Sequence, residues 1–399
     1  PKVIAAGVSS ADHMMRIRPK SAQISLNDVE TGVENYRQSY QSYFEENKGL
    51  LPAGYSSHGN DPRVILVPQI GAVTTGANLS EAKMLADIAT HTHSVAARVI
   101  DIFGEGEPLP DSEIFGFDYW PMELFKLKNR PAPARFTGHV FIVTGAGSGI
   151  GRGIALELGR LGANVTLADL DSKGLSDVEA EFKENKYIAP YIFVGDQSDE
   201  LTVTRTVSET VKNFGGLDGV VINAGIGVSD QLEDLTADKW RKGLEVNLTS
   251  AFLMSKAALA VMRTQGLGGS LVYVASKNAF SPGAGFGGYS VSKAGMLQLM
   301  RIAALEGGAA GIRANAVNPD AVFDNSKLWA GGIREQRAAA HGVKPEELED
   351  FYASRNLLKV RVRSVDVAHT VAFLLGDESS RTTGSVIAVD GGVAAAFPR

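Results

Sequence analysis

The stretch TGAGSGIG, residues 144–151, sets Gly145, Gly149 and Gly151 at G-x-x-x-G-x-G spacing between two different kinds of sequence. Ahead of it HVFIVTG (139–145) is rich in strand formers, and behind it GIALELGRLG (153–162) is amphipathic at the helical period. Side chains at those glycines would hold a pyrophosphate away from the backbone. The helix start that follows offers unpaired N–H groups and the positive end of its dipole. A glycine cluster alone is an ordinary loop; one that ends a strand and opens a helix reads as a dinucleotide site. An acid strengthens that reading: Asp169 closes NVTLAD (164–169). A carboxylate there accepts hydrogen bonds from the adenosine ribose and repels a 2′-phosphate. No arginine or lysine stands in the glycine loop or at Leu170 and Asp171, which favours NAD over NADP. The alternative is an ordinary strand-end acid or helix cap.

Outward from this stretch, short β-branched runs alternate with helix-length segments. NVTLADLD is followed by a charged helix ending near Asn185, then YIAPYIFVGD (187–196) and a helix over 199–214. GVVINAG (219–225), a long helix around Trp240 to Met262, and GSLVYVAS (269–276) follow. This alternation predicts an α/β fold, a Rossmann-type doubly wound parallel sheet, over residues 135–399. Pro131 and Pro133 in KLKNRPAPARFTGHV (126–140) mark a linker, so the boundary falls close to Arg135. Residues 1–134 read as part of a domain. YRQSYQSYFEEN (36–47) is a polar helix, RVILVPQIGAVTTG (63–76) holds a buried strand and a turn, and a helix starts after Ser80.

Composition narrows the partners. Forty-five acidic against 39 basic residues give a net charge of −6, with no dense basic cluster. Neither nucleic acid nor an anionic membrane is an expected partner. No apolar run approaches the ~20 residues of a membrane span, and no secretory pattern opens the chain. The absence of cysteine removes disulfides and thiolate metal sites and fits the cytoplasm. Pro1 in place of methionine suggests a processed, cut or engineered start. No metal site is expected from the seven histidines, 13, 58, 91, 93, 139, 341 and 369. His91 and His93, two apart on a helix, point in different directions and cannot share an ion, so they read as structural or solvent-facing.

GGYSVSKAG (287–295) places Tyr289 and Lys293 one helical turn apart on one face. A nearby cation lowers a phenol's pKa and makes it usable as an acid or base, whereas a surface pair would do nothing. Ser276, at the end of GSLVYVAS, can converge with Tyr289, because reacting groups in open sheets gather at the carboxyl ends of strands.

With these residues in place, 135–399 resembles the short-chain dehydrogenase/reductase family. TGAGSGIG, INAG (222–225), Asn247 in EVNLTSAF (245–252), Ser276 and YSVSK (289–293) follow that family's order and spacing. The resemblance implies that Tyr289 exchanges a proton with the substrate oxygen, and that Lys293 lowers the tyrosine pKa and binds the nicotinamide ribose. Ser276 would hydrogen-bond the reacting oxygen, and Asn247 would hold a water of the proton relay. It implies NAD held by Gly145, Gly147, Ser148, Gly149, Ile150, Gly151, Asp169, Asp196, Asn223, Ala224, Gly225, Tyr289, Lys293 and Pro319. Within that set Asn223 and Gly225 would keep the backbone close to the adenosine ribose, and Asp196 would touch adenine. INAG departs from the commoner NNAG but keeps the second asparagine. VNPDAV (317–322) carries Asp320 where many members have glycine, which either shapes specificity or caps a turn.

The insertion over 318–360 and the ending VIAVDGGVAAAFPR (386–399) resemble the dehydrogenase half of bifunctional rhamnulose-1-phosphate aldolase/short-chain dehydrogenase (lactaldehyde dehydrogenase) proteins. ADHMMRIRPKSAQI (11–24), PQIGAVTTGANLSEAKMLADIATHTH (68–93) and FDYWPMELFKLKNRPAP (117–133) resemble the closing third of their class II aldolase domain. This implies lactaldehyde as substrate, oxidised through its hydrate or reduced to propanediol, with the metal-binding histidines upstream. Lys327, Arg334 and Arg337 would meet a phosphate if the substrate were a sugar-alcohol phosphate; a solvated helix face is the preferred reading. A 3-oxoacyl reductase-like enzyme would want NADP, against Asp169. A non-catalytic nucleotide-binding module would need neither Tyr289 nor Lys293. Met296, Leu297, Leu299, Met300 and Ile302 cannot all face one sheet, which predicts a homodimer, or a homotetramer as is common in the family.

Overall fold

The computed structural model describes residues 8–397 apart from positions 9, 53, 58, 130, 131 and 331, so Pro1, His58 and Pro131 lie outside it. The chain divides into two compact units, Pro1–Pro133 and Ala134–Arg399.

The first unit contains α1 (Ala11–Ile17), β1 (Ala22–Gln23), α2 (Val29–Asn47), β2 (Val64–Val67), β3 (Gly71–Thr74), α3 (Leu79–Phe103), α4 (Asp111–Asp118) and α5 (Pro121–Lys128). Its three strands lie in the order β1-β2-β3, with β2 and β3 an antiparallel hairpin. Helix α2 is polar overall but buries Tyr36, Tyr40, Tyr43 and Phe44, one stripe at helical spacing. Tyr43 packs edge-on to Phe115 at 5.5 Å, and Phe44 lies 5.2 Å from Tyr119. Helix α3 starts earlier than Ser80 because Asn78 caps it. The Asn78 side chain accepts from the Glu81 amide at 2.9 Å while the Glu81 carboxylate accepts from the Ala77 amide at 2.7 Å. On α3, His91 is exposed, edge-on to His13, and His93 is half-buried, with burial lowering its pKa. Among the described residues no group of three His, Asp or Glu side chains is placed to hold a metal.

In the second unit seven strands form one parallel sheet: β4 (Val140–Thr144), β5 (Asn164–Asp169), β6 (Tyr191–Val194), β7 (Gly219–Ile222), β8 (Gly269–Val274), β9 (Ile312–Pro319) and β10 (Val386–Val389). The order is β10-β9-β8-β7-β4-β5-β6, so the winding reverses between β4 and β7. That reversal opens a crevice at the carboxyl ends of the strands. One face is covered by α6 (Gly149–Arg160), α7 (Ser172–Glu184) and α14 (Ser364–Leu375), the other by α8 (Glu200–Phe214), α10 (Ser250–Gln265) and α11 (Gly287–Gly307). All five β4 residues are buried, as expected of a strand covered on both faces. Strand β6 is shorter than YIAPYIFVGD suggested, beginning just after Pro190, which has no amide to give to a ladder.

Helix α9 (Ala237–Leu244) runs through a π-turn at Glu245–Thr249 into α10. Against the reading that no apolar run is long enough, 237–265 is long and apolar enough by composition to cross a membrane. Here its Ala251, Met254, Ala258 and Met262 are buried in the core. On α11, Met296, Leu297 and Met300 all pack into their own sheet, Leu299 partly so, and Ile302 is left exposed. Two further helices, α12 (Ile333–His341) and α13 (Leu348–Arg355), close a small core of Ala338, Leu348 and Tyr352 with Phe323 and Trp329.

Candidate active site

The turn leaving β4 tolerates only glycine at two points. Gly145 has φ +65°, and a Cβ on Gly151 would lie 2.0 Å from the Gly145 carbonyl oxygen. The neighbouring strand braces this turn. Asn223 Nδ2 donates to the carbonyls of Thr144 (2.9 Å) and Gly145 (3.1 Å), and Thr144 Oγ1 accepts from the amides of Asn223 and Ala224. Asn223 is thus a strut of the glycine turn. Asp169 does similar work from β5: one carboxylate oxygen accepts from the Gly147 amide and the other from the Asp171 amide, each at 2.9 Å.

A cleft of about 1550 Å³, open to solvent, runs along this turn. Gly145, Ser148, Gly149, Ile150, Asp169, Asp196, Asn223, Ala224 and Gly225 line it. Asp196 accepts from the Ser198 amide at 2.9 Å and hydroxyl at 2.7 Å, which holds its carboxyl below the usual range. A glycine cradle under a helix start, with carboxylates at the far end, suits a dinucleotide. Sequence reasoning missed one cation here and misplaced another. Lys242 lines the cleft, and Lys327, from the segment after β9, pairs with Asp171. Both stand far from Asp169 in sequence, so no local scan finds them.

A second cavity, of about 810 Å³ with its mouth, shares Ile150, Asn223 and Gly225 with the first. Ser276, Tyr289, Lys293 and Pro319 line it. Tyr289 and Lys293 occupy the first turns of α11, and both are buried. Lys293 Nζ donates to the Val274 carbonyl at 2.9 Å and lies 5.7 Å from the centre of the Tyr289 ring. Burial pushes the Lys293 ammonium down to about 8. Burial also pushes the Tyr289 phenol up to about 12; a hydrogen bond with Ser276 opposes that rise and the Asp320 charge adds to it. The lowering expected of Tyr289 is therefore not seen in the protein alone, where desolvation dominates.

Asn247 sits in the π-turn, where an added residue swings a side chain inward. Its Oδ1 accepts from the Ile226 amide at 2.7 Å, and its Nδ2 donates to the Ile226 carbonyl and to Ser292 Oγ, both at 3.1 Å. A Cβ on Gly225 would stand 3.1 Å from Asn247 Oδ1 and 3.6 Å from Lys293 Nζ, so Gly225 packs closely against both side chains. Ser276 Oγ also accepts from the Asn278 amide at 3.2 Å.

The same cavity is also lined by Lys277, Asp320, Arg337, Trp329 and Tyr352. Asp320, with 7% of its side chain exposed, pairs with Arg355 at 3.1 Å. It is no simple turn cap: burial raises its pKa, and Arg355 and Lys277 oppose the rise. The three cations read as one solvated helix face prove different. Arg337 is only 8% exposed, Arg334 is half-buried with its Nε donating to the Pro345 carbonyl, and Lys327 remains exposed. The physical reason is that α12 packs inward against Phe286 and Phe323, and carries its arginines with it.

Residues 145–394 match the family described as enoyl-(acyl carrier protein) reductase, and residues 1–127 match the second domain of class II aldolases. An uncharacterized oxidoreductase of Bacillus subtilis (strain 168), YuxG, is 33% identical over 413 residues, covering 100% of this chain, which spans 59% of that relative's length. Levodione reductase of Leifsonia aquatica is 34% identical over 66% of this chain and 97% of its own. The crystal structure of NAD⁺-bound xylitol dehydrogenase superposes with a TM-score of 0.61 at 30% identity, covering 65% of this chain and all of that one. With the parallel sheet, the glycine turn and more than half of the chain matched, this protein belongs to the short-chain dehydrogenase/reductase family of oxidoreductases.

Proposed function

We propose that the chain is an NAD-dependent oxidoreductase interconverting a small hydroxy compound and its carbonyl form, with lactaldehyde as the substrate. The reading is carried by Ser276, Tyr289 and Lys293 lining one cavity that shares Ile150, Asn223 and Gly225 with the Asp169 cleft, with Asn247 buried against Ile226 and Ser292 beside it. Bound NAD would supply the hydride acceptor. Tyr289 exchanges the proton at the substrate oxygen, and Ser276 fixes that oxygen and the phenol by hydrogen bonding. Lys293 provides positive charge behind the phenol, with Asn247 and the Gly225 backbone packed against it. Asp169 selects NAD, since a 2′-phosphate would meet its carboxylate and that of Asp171. Residues 135–399 act as this nucleotide-binding domain, and 1–134 as the C-terminal portion of a class II aldolase-like domain, consistent with the match over 1–127. An aldolase partner releases an aldehyde, and this favours lactaldehyde. A cytoplasmic setting, where NAD is abundant, goes with the same reading.

Incubating purified protein with lactaldehyde, 1,2-propanediol, a sugar-alcohol phosphate and a 3-oxoacyl ester, each with NAD(H) or NADP(H), tests it. NADH absorbance should change with lactaldehyde. Turnover with NADP(H) alone, or with none of the panel, would sink the proposal.

A further inference from the structure

The cavity beside Tyr289 holds more positive charge than proton exchange there requires. Arg337 reaches into it from α12, buried, with its guanidinium 5.2 Å above the Phe286 ring. Its Nη1 donates to the Ala284 carbonyl at 2.9 Å and its Nη2 to His341 Nε2 at 3.1 Å. Neither partner is an anion: burial first, then the neighbouring Arg337, Arg355 and Lys277, push His341 down to about 4, so the imidazole is neutral. Lys277, adjacent to Ser276, donates to the Ser281 carbonyl at a long 3.4 Å. Asp320 is the one carboxylate among the residues lining the cavity; Arg355 pairs with it, and its charge also reaches Lys277, leaving one anion for three cations. Among the described residues, no ion pair includes Lys277 or Arg337.

Burying a guanidinium without a counter-charge is unfavourable, and buried charges are ordinarily paired. A ligand oxyanion would complete the set. Arginine suits that task, because its planar fork meets a carboxylate or phosphate through two parallel hydrogen bonds. The site lies on the substrate side of Ser276 and Tyr289, away from the glycine turn that faces the other cleft.

We infer that Lys277 and Arg337 form an oxyanion subsite beside the reacting centre, so that the molecule held there carries a carboxylate or a phosphate. The inference rests on the proposed oxidoreductase reading and takes an anionic ligand in place of neutral lactaldehyde. A carboxylate would belong to a 2-hydroxy acid, whose hydroxyl carbon, one bond from the anion, would be the reacting carbon at Tyr289. A phosphate would belong to a phosphorylated hydroxy compound.

The test is calorimetric binding to the full chain saturated with NADH, using L-lactate, glycerol 3-phosphate and the neutral 1,2-propanediol. One of the two anions should bind at least about tenfold tighter than propanediol, the usual scale for charge-assisted hydrogen bonds. Lactate as the tighter ligand identifies the carboxylate source, and glycerol 3-phosphate the phosphate source. Lys277→Gln and Arg337→Gln should each weaken the preferred anion by about tenfold and leave propanediol unchanged. Arg337 also ties α12 to the Ala284 loop, so its variant can fail to fold. Lys277→Gln and added sodium chloride then decide, since salt should weaken the anion and not the diol. Equal binding of all three ligands, or anion affinity indifferent to both Lys277→Gln and salt, overturns the inference. Failure to bind NADH at all would strike the oxidoreductase reading instead.

Discussion

The Lys293 ammonium donates to the Val274 carbonyl at 2.9 Å, deep in the protein and one helical turn from Tyr289. It gains one carbonyl partner and loses its water, so burial dominates and its pKa falls from 10.5 to about 8. A lysine whose folded pKa is depressed adds stability above its unfolded pKa, and that stability is lost as pH falls through the folded value. Compared with Lys293→Met, the wild type should therefore gain on the order of 3 kcal/mol between pH 8 and 10.5. Denaturant unfolding of both proteins across that window measures it. A pH-independent difference would mean that the ammonium is solvated.

Tyr289 moves the other way, up to about 12, again through burial. Without cofactor its phenol should stay protonated at pH 10, where an exposed tyrosine is half ionised. The ultraviolet difference titration between wild type and Tyr289→Phe isolates this group. A tyrosinate step near pH 8 in the cofactor-free protein would contradict the burial argument.

His341 supplies a third pH dependence. Its folded pKa of about 4 lies below the ordinary 6.5, so its contribution is complete above 6.5 and fades as pH falls toward 4. His341→Gln should flatten the acid side of the Tm–pH curve. An identical slope in both proteins would refute the placement of His341 against Arg337.

The sheet and the glycine turn were legible because each rests on local signals. These are period-2 and period-3.6 patterning, and glycines whose absent Cβ can be read one at a time. Tyr289, Lys293 and Ser276 were legible for the same reason: one helical turn and one strand end bring them together. The misreadings at the site are of tertiary origin, unlike the shifted starts of α3 and β6, which a cap and a proline set locally. Arg337 looked like part of a solvated face because α12 is polar; only its packing on Phe286 and Phe323 turns that residue inward. Lys327 meets Asp171 across 156 residues of chain, a contact no local pattern records. The phenol's raised pKa was invisible as well, since a motif names a neighbouring cation but not the depth of burial.

Cofactor choice should follow Asp169. NAD should bind at least about tenfold tighter than NADP, with Asp169→Ala narrowing the gap mainly by relieving repulsion. Fluorescence titration with both cofactors measures this. Lys327 is an ion-pair partner of Asp171 and should not rescue NADP binding in the wild type. Equal affinities would show that Asp169 does not select the cofactor.

Assembly is tested by light scattering at micromolar concentration. Val291, Ile302 and Leu305 remain exposed on α11, and Phe252 on α10, after the sheet has taken Met296, Leu297 and Met300. A dimer or tetramer is expected, and Ile302→Glu with Leu305→Glu should shift the mass toward the monomer. A monomeric wild type would count against it.

Tyr289 is the proposed acid/base of an NAD-linked reaction. Tyr289→Phe retains the ring packed 4.8 Å from Phe286 and deletes the hydroxyl. Steady-state turnover of the variant with lactaldehyde and NAD, alongside its NAD affinity, is the most direct measurement. Turnover should drop by at least about 10²-fold, the contribution of a positioned acid/base, while NAD affinity stays nearly unchanged. A variant retaining more than half of the wild-type rate would exclude Tyr289 from that role.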